Sequence, residues 1–339
     1  MNYIGSKLSL LEHIKDILRK HQVPLDGIAL DLFTGTSIVA QLFKSLGYQT
    51  YANDWQYYAY LLSFAYISLN KSPDKSKLNY LNKLPGKSGP FYEAYAEGGK
   101  AKRLYFSKQN GLKIQAIRDQ IFTWQVNKEI SLEENNWLIA CLLQASDKVA
   151  NTASVYGAHL KHLKKPAQKD LILKAITPIS STWPKSKHKT FCTESVSLVQ
   201  SLKNVPLITY IDPPYNHRQY SANYHILETI AFWDLDKFTP RGVTGLRSDT
   251  NQQSPYCLKT QAYPAFDKLF SYIKSPYLLF SYNNEGILSE KQLSDLFNKY
   301  FIKIDFQKIN YQRFRADQDK INRKYKAEKT QEFLILCSR

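Results

Sequence analysis

Two strand-like segments, an apolar run with an acid near its end and a second strand running into an acid, separated by one helix-like segment, restrict this chain more than any other feature. The first is Ile28-Ala29-Leu30-Asp31-Leu32-Phe33, and the second, Gln49 to Ala52, runs into Asn53-Asp54. Between them lie a small-residue turn, Thr34-Gly35-Thr36-Ser37, and a helical pattern from Ile38 to Leu46. A strand buried on both faces reads as an unbroken apolar run, whereas a half-solvated strand alternates. Strand, turn, helix and strand in that order open a parallel sheet covered by helices on both faces. The expected fold class is therefore α/β, doubly wound and mostly parallel.

The rest of the chain is expected to keep that rhythm at both ends and lose it in the middle. Leu8, Leu11, Ile14, Ile17 and Leu18 recur at helical spacing after a Gly5-Ser6 start that fits a cap, and a further helix is expected through Tyr57–Leu69. Lys, Ser, Pro and Gly then dominate residues 70 to 100, which read as loop. Leu112 to Val126 and Ser131 to Ala150 read as helices, and 161 to 190 is basic and broken by Pro166, Pro178 and Pro184. Alternation resumes with Lys189 to Cys192, a helix from Ser195 to Leu202, and the strand Leu207 to Ile211. A strand at Tyr277 to Ser281, a helix at Glu290 to Tyr300 and a terminal strand pair at Phe301 to Ile309 and Glu332 to Cys337 complete the reading. The expected organisation is one domain built from 1–69 and 188–339, interrupted by a mainly helical insert at 70–187.

Charge narrows the partner. With 339 residues, 43% of them hydrophobic, the chain has enough apolar mass for a full core. Lys and Arg number 46 against 29 Asp and Glu, giving a net charge of +17 and favouring a polyanionic partner, nucleic acid first. Cys141, Cys192, Cys257 and Cys337 are far apart and form no CxxC pair, which fits reduced thiols rather than zinc or disulfides. Met1 to Lys7 lack the apolar core of a signal peptide, and Tyr57 to Leu69 is too short to span a bilayer. The expected location is the cytoplasm of a bacterium, next to the nucleoid, with no membrane contact.

The tetrapeptide Asp212-Pro213-Pro214-Tyr215 follows the strand Leu207 to Ile211, where open α/β sheets carry their reactive groups. Its chemistry suits an exocyclic amine on a planar base. Such a nitrogen is a poor nucleophile because its lone pair is delocalised into the ring. The Asp212 carboxylate and the Pro213 carbonyl can each accept one N–H and draw the nitrogen toward tetrahedral geometry. Two prolines in a row fix φ without adding donors, and Tyr215 offers a face for stacking. The turn after Asp31 presents backbone N–H groups to a ligand. Asp54, at the end of the next strand, stands where a ribose hydroxyl pair is held in nucleoside-binding folds. Neither GxGxxG nor GxxxxGK[ST] is present, so a nucleoside without a phosphate chain is favoured.

Asn2-Tyr3-Ile4-Gly5-Ser6-Lys7, Asp31-Leu32-Phe33-Thr34-Gly35-Thr36, Asp54 and Asp212-Pro213-Pro214-Tyr215 occur in this order. In that order they resemble the S-adenosylmethionine-dependent DNA N6-adenine methyltransferases, specifically the Dam-like group whose cofactor motif comes first and whose DPPY comes late. Asp147 to Thr152, Arg218 to His225 and Ser281 to Gly286 are similar to stretches of restriction-modification relatives. The resemblance covers both ends of the chain and puts the insert where that family has its target-recognition domain. It implies a Rossmann-like methyltransferase sheet, a methyl group moved from S-adenosylmethionine to adenine N6 in double-stranded DNA, S-adenosylhomocysteine as product, and no metal. It further implies that Tyr3, Gly5, Lys7, Asp31, Phe33, Gly35, Thr36, Asp54 and Glu194 line the cofactor site. Asp212 would lie between cofactor and target amine, with Pro213, Pro214 and Tyr215 completing the catalytic loop. One departure stands out: the family's second turn glycine is Ser37 here, whose Cβ is costly if that position needs a positive φ.

DNA contacts are expected from Lys161, Lys164 and Lys165, from Arg313, Arg315, Arg323 and Lys324, and from Arg218 and Tyr220 just past the tetrapeptide. Three other readings stay open on sequence alone: the same chemistry on RNA, methylation of cytosine N4, and a catalytically weak DNA-binding subunit of the same fold. A monomer is expected; a dimer and a cognate restriction endonuclease as partner also remain open.

Overall fold

The structure, a computed structural model, describes residues 6–248, 252–312 and 329–339. Contacts within the chain divide the described residues into two compact units. One holds 6–55, 179–219, 252–312 and 329–339, and the other holds 56–178 and 220–248.

The first unit is built on a sheet of seven strands among the described residues. They are β1 (Ile28–Asp31), β2 (Gln49–Asp54), β3 (Lys189–Cys192), β4 (Ile208–Ile211), β5 (Tyr277–Asn283), β6 (Lys303–Gln312) and β7 (Lys329–Ser338). Their spatial order is β3-β2-β1-β4-β5-β7-β6. Pairing is parallel from β3 through β5, and antiparallel for β5 with β7 and β7 with β6. The order reverses between β1 and β4: the chain first builds outward through β2 and β3, then returns to β4 and builds the other way. That reversal opens a crevice at the carboxyl ends of β1 and β4, where such sheets bind ligands.

Apolar residues on successive strand positions explain both covering layers. Leu30, Ile211, Leu278 and Phe280 pack with Phe266, Leu269 and Phe270 of the helix Ala262–Tyr272. Ala29, Ile208, Tyr210 and Leu279 face the other way, onto Ile14, Ile17 and Leu18 of the helix Leu11–Lys20 and Val39 and Phe43 of the helix Ile38–Ser45. Burial of both faces is what the unbroken apolar runs require. The expected cap on the first helix takes a different form. A 3-10 turn, Leu8–Leu10, precedes it, Lys7 stands at its N-cap without a side-chain capping bond, and Gly5 lies outside the described residues.

The second unit is helical. Its long helices, Lys108–Val126 and Leu132–Lys148, start at serine caps, Ser107 and Ser131, the latter in a reciprocal capping box with Glu134. Between 70 and 100, where composition reads as loop, the structure forms the helices Ser76–Lys83 and Pro90–Tyr95. Leu78, Leu81, Phe91 and Tyr95 are buried there. Short helices flanked by Pro and Gly show too few turns for periodicity to emerge, and tertiary burial decides them. The helix expected at Tyr57–Leu69 is α-helical over Tyr57–Ser63 and widens to a π turn over Phe64–Ser68. It belongs to this unit: Tyr58, Leu61 and Leu62 share a core with Trp137, Leu142, Tyr224 and Leu227. Composition puts the edges of the helical region at 70 and 187. Packing puts the edges of the compact helical unit at 56 and 178 and adds 220–248.

Candidate active site

The carboxyl edge of the sheet brings together residues from five strands. After β1 the chain turns back on itself. Asp31, 1% exposed, accepts hydrogen bonds at Oδ2 from Thr34 Oγ1 and from the Ala40 amide, both at 3.0 Å. Its Oδ1 is buried without a hydrogen-bond partner among the described residues. Burial pushes this carboxyl up to about 8, against the Thr34 hydrogen bond, and the nearby Asp212 charge adds to the rise. Asp31 braces its own turn, and burial favours its protonated form.

The turn itself is left-handed at two places, Gly35 at φ 51° and Ser37 at φ 65°. Gly35 adopts that conformation freely, whereas the Cβ of Ser37, a fully buried residue, is strained there by roughly 1 kcal/mol. The Gly35 amide donates to Asp54 Oδ2 at 2.9 Å, so the acid closing β2 clasps the turn that follows β1. Asn53 completes the tie: its backbone carbonyl accepts from the Thr34 amide, and its side-chain amide donates to Leu32 and Thr193 carbonyls. Phe33 is half-buried, edge-on to Tyr256 at 5.4 Å.

Asp212 leaves β4 beside this turn. Its Oδ1 is sealed from solvent and lies 3.1 Å from Lys7 Nζ, an ion pair by distance that lacks hydrogen-bond alignment. The side chain is nonetheless 17% exposed, so its accessible surface belongs to its other atoms. Burial pushes this carboxyl up to about 6; Lys7 opposes the rise and Glu332 adds to it. Lys7 lies 3.5 Å from Glu332 Oε2 and 5.3 Å from the centre of the Tyr215 ring. Burial alone lowers the lysine's proton affinity, but Asp212, Glu332 and Tyr215 together hold it well above the ordinary value. Tyr215 meets Tyr282 edge-on at 5.9 Å, and its carbonyl accepts from the Ile287 amide. Among the described residues, no hydrogen bond reaches the Pro213 carbonyl.

The expected site residues thus sort into groups. Lys7, Asp31, Phe33, Gly35, Thr36, Asp54 and Asp212 to Tyr215 all lie at or beside the carboxyl edge of neighbouring strands. Glu194 follows β3 by two residues, and its oxygens cap the helix Ser195–Ser201, accepting from the Val196 and Ser197 amides and from the Ser195 and Ser197 hydroxyls. That is the ordinary use of an acid at a helix start. Lys161 and Lys165 are exposed, whereas Lys164 is partly buried and donates to the Thr152 carbonyl at 2.6 Å. Lys164 therefore braces the loop, and its ammonium is already engaged. Arg218 is exposed, and Tyr220 stacks on Tyr224 at 5.9 Å. Tyr3, Gly5, Arg313, Arg315, Arg323 and Lys324 lie outside the described residues.

Sequence reasoning missed Glu332, Asn53 and Tyr256. Glu332 carried a visible signal, a lone acid heading the apolar run Phe333 to Cys337. Among the described residues, no group of three or more His, Cys, Asp or Glu is placed to hold a metal ion, and no helix is long and apolar enough to cross a membrane.

Comparison with known proteins joins this geometry to a family. Residues 3–296 match the D12 class N6 adenine-specific DNA methyltransferases. The chain is 42% identical to the type II methyltransferase M.NlaIII of Neisseria lactamica over 345 residues, spanning all of this chain and 99% of that relative. It is 36% identical to the modification methylase StsI of Streptococcus sanguinis across 93% of this chain and 49% of the longer relative. A viral relative, M.CviAII of Paramecium bursaria Chlorella virus 1, is 31% identical with 93% of each chain covered. The match runs from the amino-terminal motif through the sheet edge that carries Asp212. This chain belongs to the D12 class N6 adenine-specific DNA methyltransferases, S-adenosylmethionine-dependent enzymes of restriction-modification systems.

Proposed function

We propose that methyl transfer takes place at the crevice between β1 and β4, with Asp212 and the Pro213 carbonyl accepting the two N–H bonds of an adenine N6. The observation that carries this reading is Asp212 itself. It is a carboxylate at the switch point of the sheet, one oxygen buried against Lys7 and the rest of the side chain reachable, beside a proline carbonyl with no hydrogen bond among the described residues. Holding both hydrogens removes the amine's conjugation and directs its lone pair outward. Asp212 then takes the proton that the substituted nitrogen sheds. Tyr215, braced by Tyr282, stacks on the adenine, which must leave the duplex to be reached.

S-adenosylmethionine, when bound, supplies a methyl group already activated by its sulfonium. The turn after β1 fits it: the buried Asp31 Oδ1 lacks a hydrogen-bond partner among the described residues, Phe33 is half open, and Asp54 sits at the adjoining strand end. Asp54 would hold the ribose, Phe33 would pack against the adenosyl group, and Asp31 would serve the turn from beneath. Lys7 would act on Asp212, the partner the structure gives it.

In this reading the helical unit supplies target recognition. Lys161, Lys165 and Arg218 contact phosphates, Tyr220 helps hold the displaced nucleotide, and the protein works as a monomer beside a cognate endonuclease. Support comes from the net charge of +17 and from the exposure of those cations. The test is expression in a host free of DNA methylation, followed by mapping of N6-methyladenine across its genome. One recurring sequence methylated by the wild type, and none by Asp212→Ala, is expected. Persistent methylation by a folded Asp212→Ala protein would remove Asp212 from the chemistry.

A further inference from the structure

Glu332 enters the site from β7, whose antiparallel pairing with β5 sets it opposite Asn283. Its side chain is 7% exposed, at the head of a buried apolar strand. Lys7 serves both carboxylates, Asp212 at 3.1 Å and Glu332 at 3.5 Å, so the three groups together carry one net negative charge when ionised. Among the described residues, the other groups facing them are Asp31 from β1, Tyr210 from β4, Tyr215 from the Asp212–Tyr215 loop and Asn283 from β5. Tyr210 donates to Ser281 Oγ at 2.9 Å, and Asn283 hydrogen-bonds Glu332. Lys7 is the cation of this set.

A buried ammonium with one carboxylate partner closes a charge-assisted hydrogen bond on it, occupying a lone pair and favouring the ionised form. Here Lys7 is divided between two carboxylates, 3.1 Å from Asp212 Oδ1 and 3.5 Å from Glu332 Oε2, so Asp212 does not hold the ammonium alone. We infer that Glu332 is a positioning residue for methyl transfer: by holding the Lys7 ammonium at a second acceptor, it leaves the Asp212 carboxylate available to the adenine amine. This rests on the reading of Asp212 given above. Burial, opposed by Lys7 and reinforced by Glu332, sets Asp212 near 6, and only its ionised form accepts the amine. The wild-type rate therefore falls as pH drops through about 6. Removing the Glu332 charge relieves repulsion on ionised Asp212 and releases Lys7 to pair with it; both changes lower the pH at which Asp212 protonates.

The experiment is the pH profile of the single-turnover methylation rate, with saturating S-adenosylmethionine and duplex DNA. Glu332→Gln is expected to move the acid limb down by about half a unit or more and to lower the plateau several-fold. Glu332→Asp, which keeps the charge, should leave the limb near its wild-type position. A Gln variant with a lower plateau and an unmoved limb would show that Glu332 is only structural. Asp212→Asn in parallel separates the two claims: if it keeps turnover, the reading of the site fails. If it is inactive while the Glu332→Gln limb stays put, only the role of Glu332 fails. Should Glu332→Gln not fold, a carbon-13 titration of wild-type side-chain carboxyls decides. Coupled, two-step curves for Asp212 and Glu332 are expected, and independent single steps would overturn the inference.

Discussion

Two buried acids, Glu228 in the helical unit and Asp212 at the sheet edge, are handled in opposite ways. Glu228, 1% exposed, accepts the Tyr57 and Tyr58 amides, one on each oxygen, at 2.9 and 2.8 Å, capping the helix Tyr57–Ser63. Asp212 keeps one oxygen buried without a hydrogen bond, beside a lysine shared with another acid. A buried carboxylate whose lone pairs meet backbone donors stabilises the fold, whereas one left partly unsatisfied is costly and chemically available. Under the proposed reading, the same residue chemistry serves architecture in one place and reaction in the other, and hydrogen-bond saturation tells them apart.

That contrast can be broken by mutation. Asp212→Ala should reduce the methylation rate by at least about 10²–10³-fold with little loss of thermal stability, since it removes the acceptor that polarises the amine. Glu228→Ala should do the reverse. It takes the acceptor from two helix-start amides and should cost roughly 2–3 kcal/mol in denaturant unfolding, while activity per folded molecule persists. If Glu228→Ala abolished turnover in folded protein, saturation would be no guide to function.

Smaller effects sharpen the picture within the site and beyond it. Ser37→Gly should relieve the left-handed strain at φ 65° and raise stability by about 0.5–1 kcal/mol, read by calorimetry together with S-adenosylmethionine affinity. A clear loss of stability would mean that the serine's own contacts outweigh the strain. Smallest is Lys165→Ala, which should reduce the slope of log DNA affinity against log salt by about one, whereas Lys164→Ala should loosen the loop tied to Thr152 instead.

Much of the sheet was readable because burial on both faces writes itself as unbroken apolar runs. β1, β4 and β5 fall where such runs predict them, and β2 where the strand expected after the first helix lies. The placement of the Asp212 to Tyr215 loop was equally readable, since these residues are consecutive and follow a strand. The helices Ser76–Lys83 and Pro90–Tyr95 were not, because two or three turns set among Pro, Ser and Lys leave no periodic trace. Glu194, which motif position suggests as a cofactor contact, also caps the helix that follows β3, a use its place at a helix start makes legible. Ser37 lies between these cases. Sequence flagged its Cβ as conditional on φ, and the fold made the condition real.

By itself the sequence determined that the chain forms a mostly parallel sheet, that acids fall at or near its strand ends, and that a proline-locked carboxylate follows β4. These are local facts, fixed by apolar runs, turn residues and adjacency along the chain. The meeting of Lys7, Asp212 and Glu332 spans 325 residues and depends on β7 running antiparallel to β5 in one register. A slip of one position would turn the Glu332 side chain to the other face. Only the tertiary structure decided that, because strand register and the sharing of one ammonium between two acids are properties of packing in three dimensions.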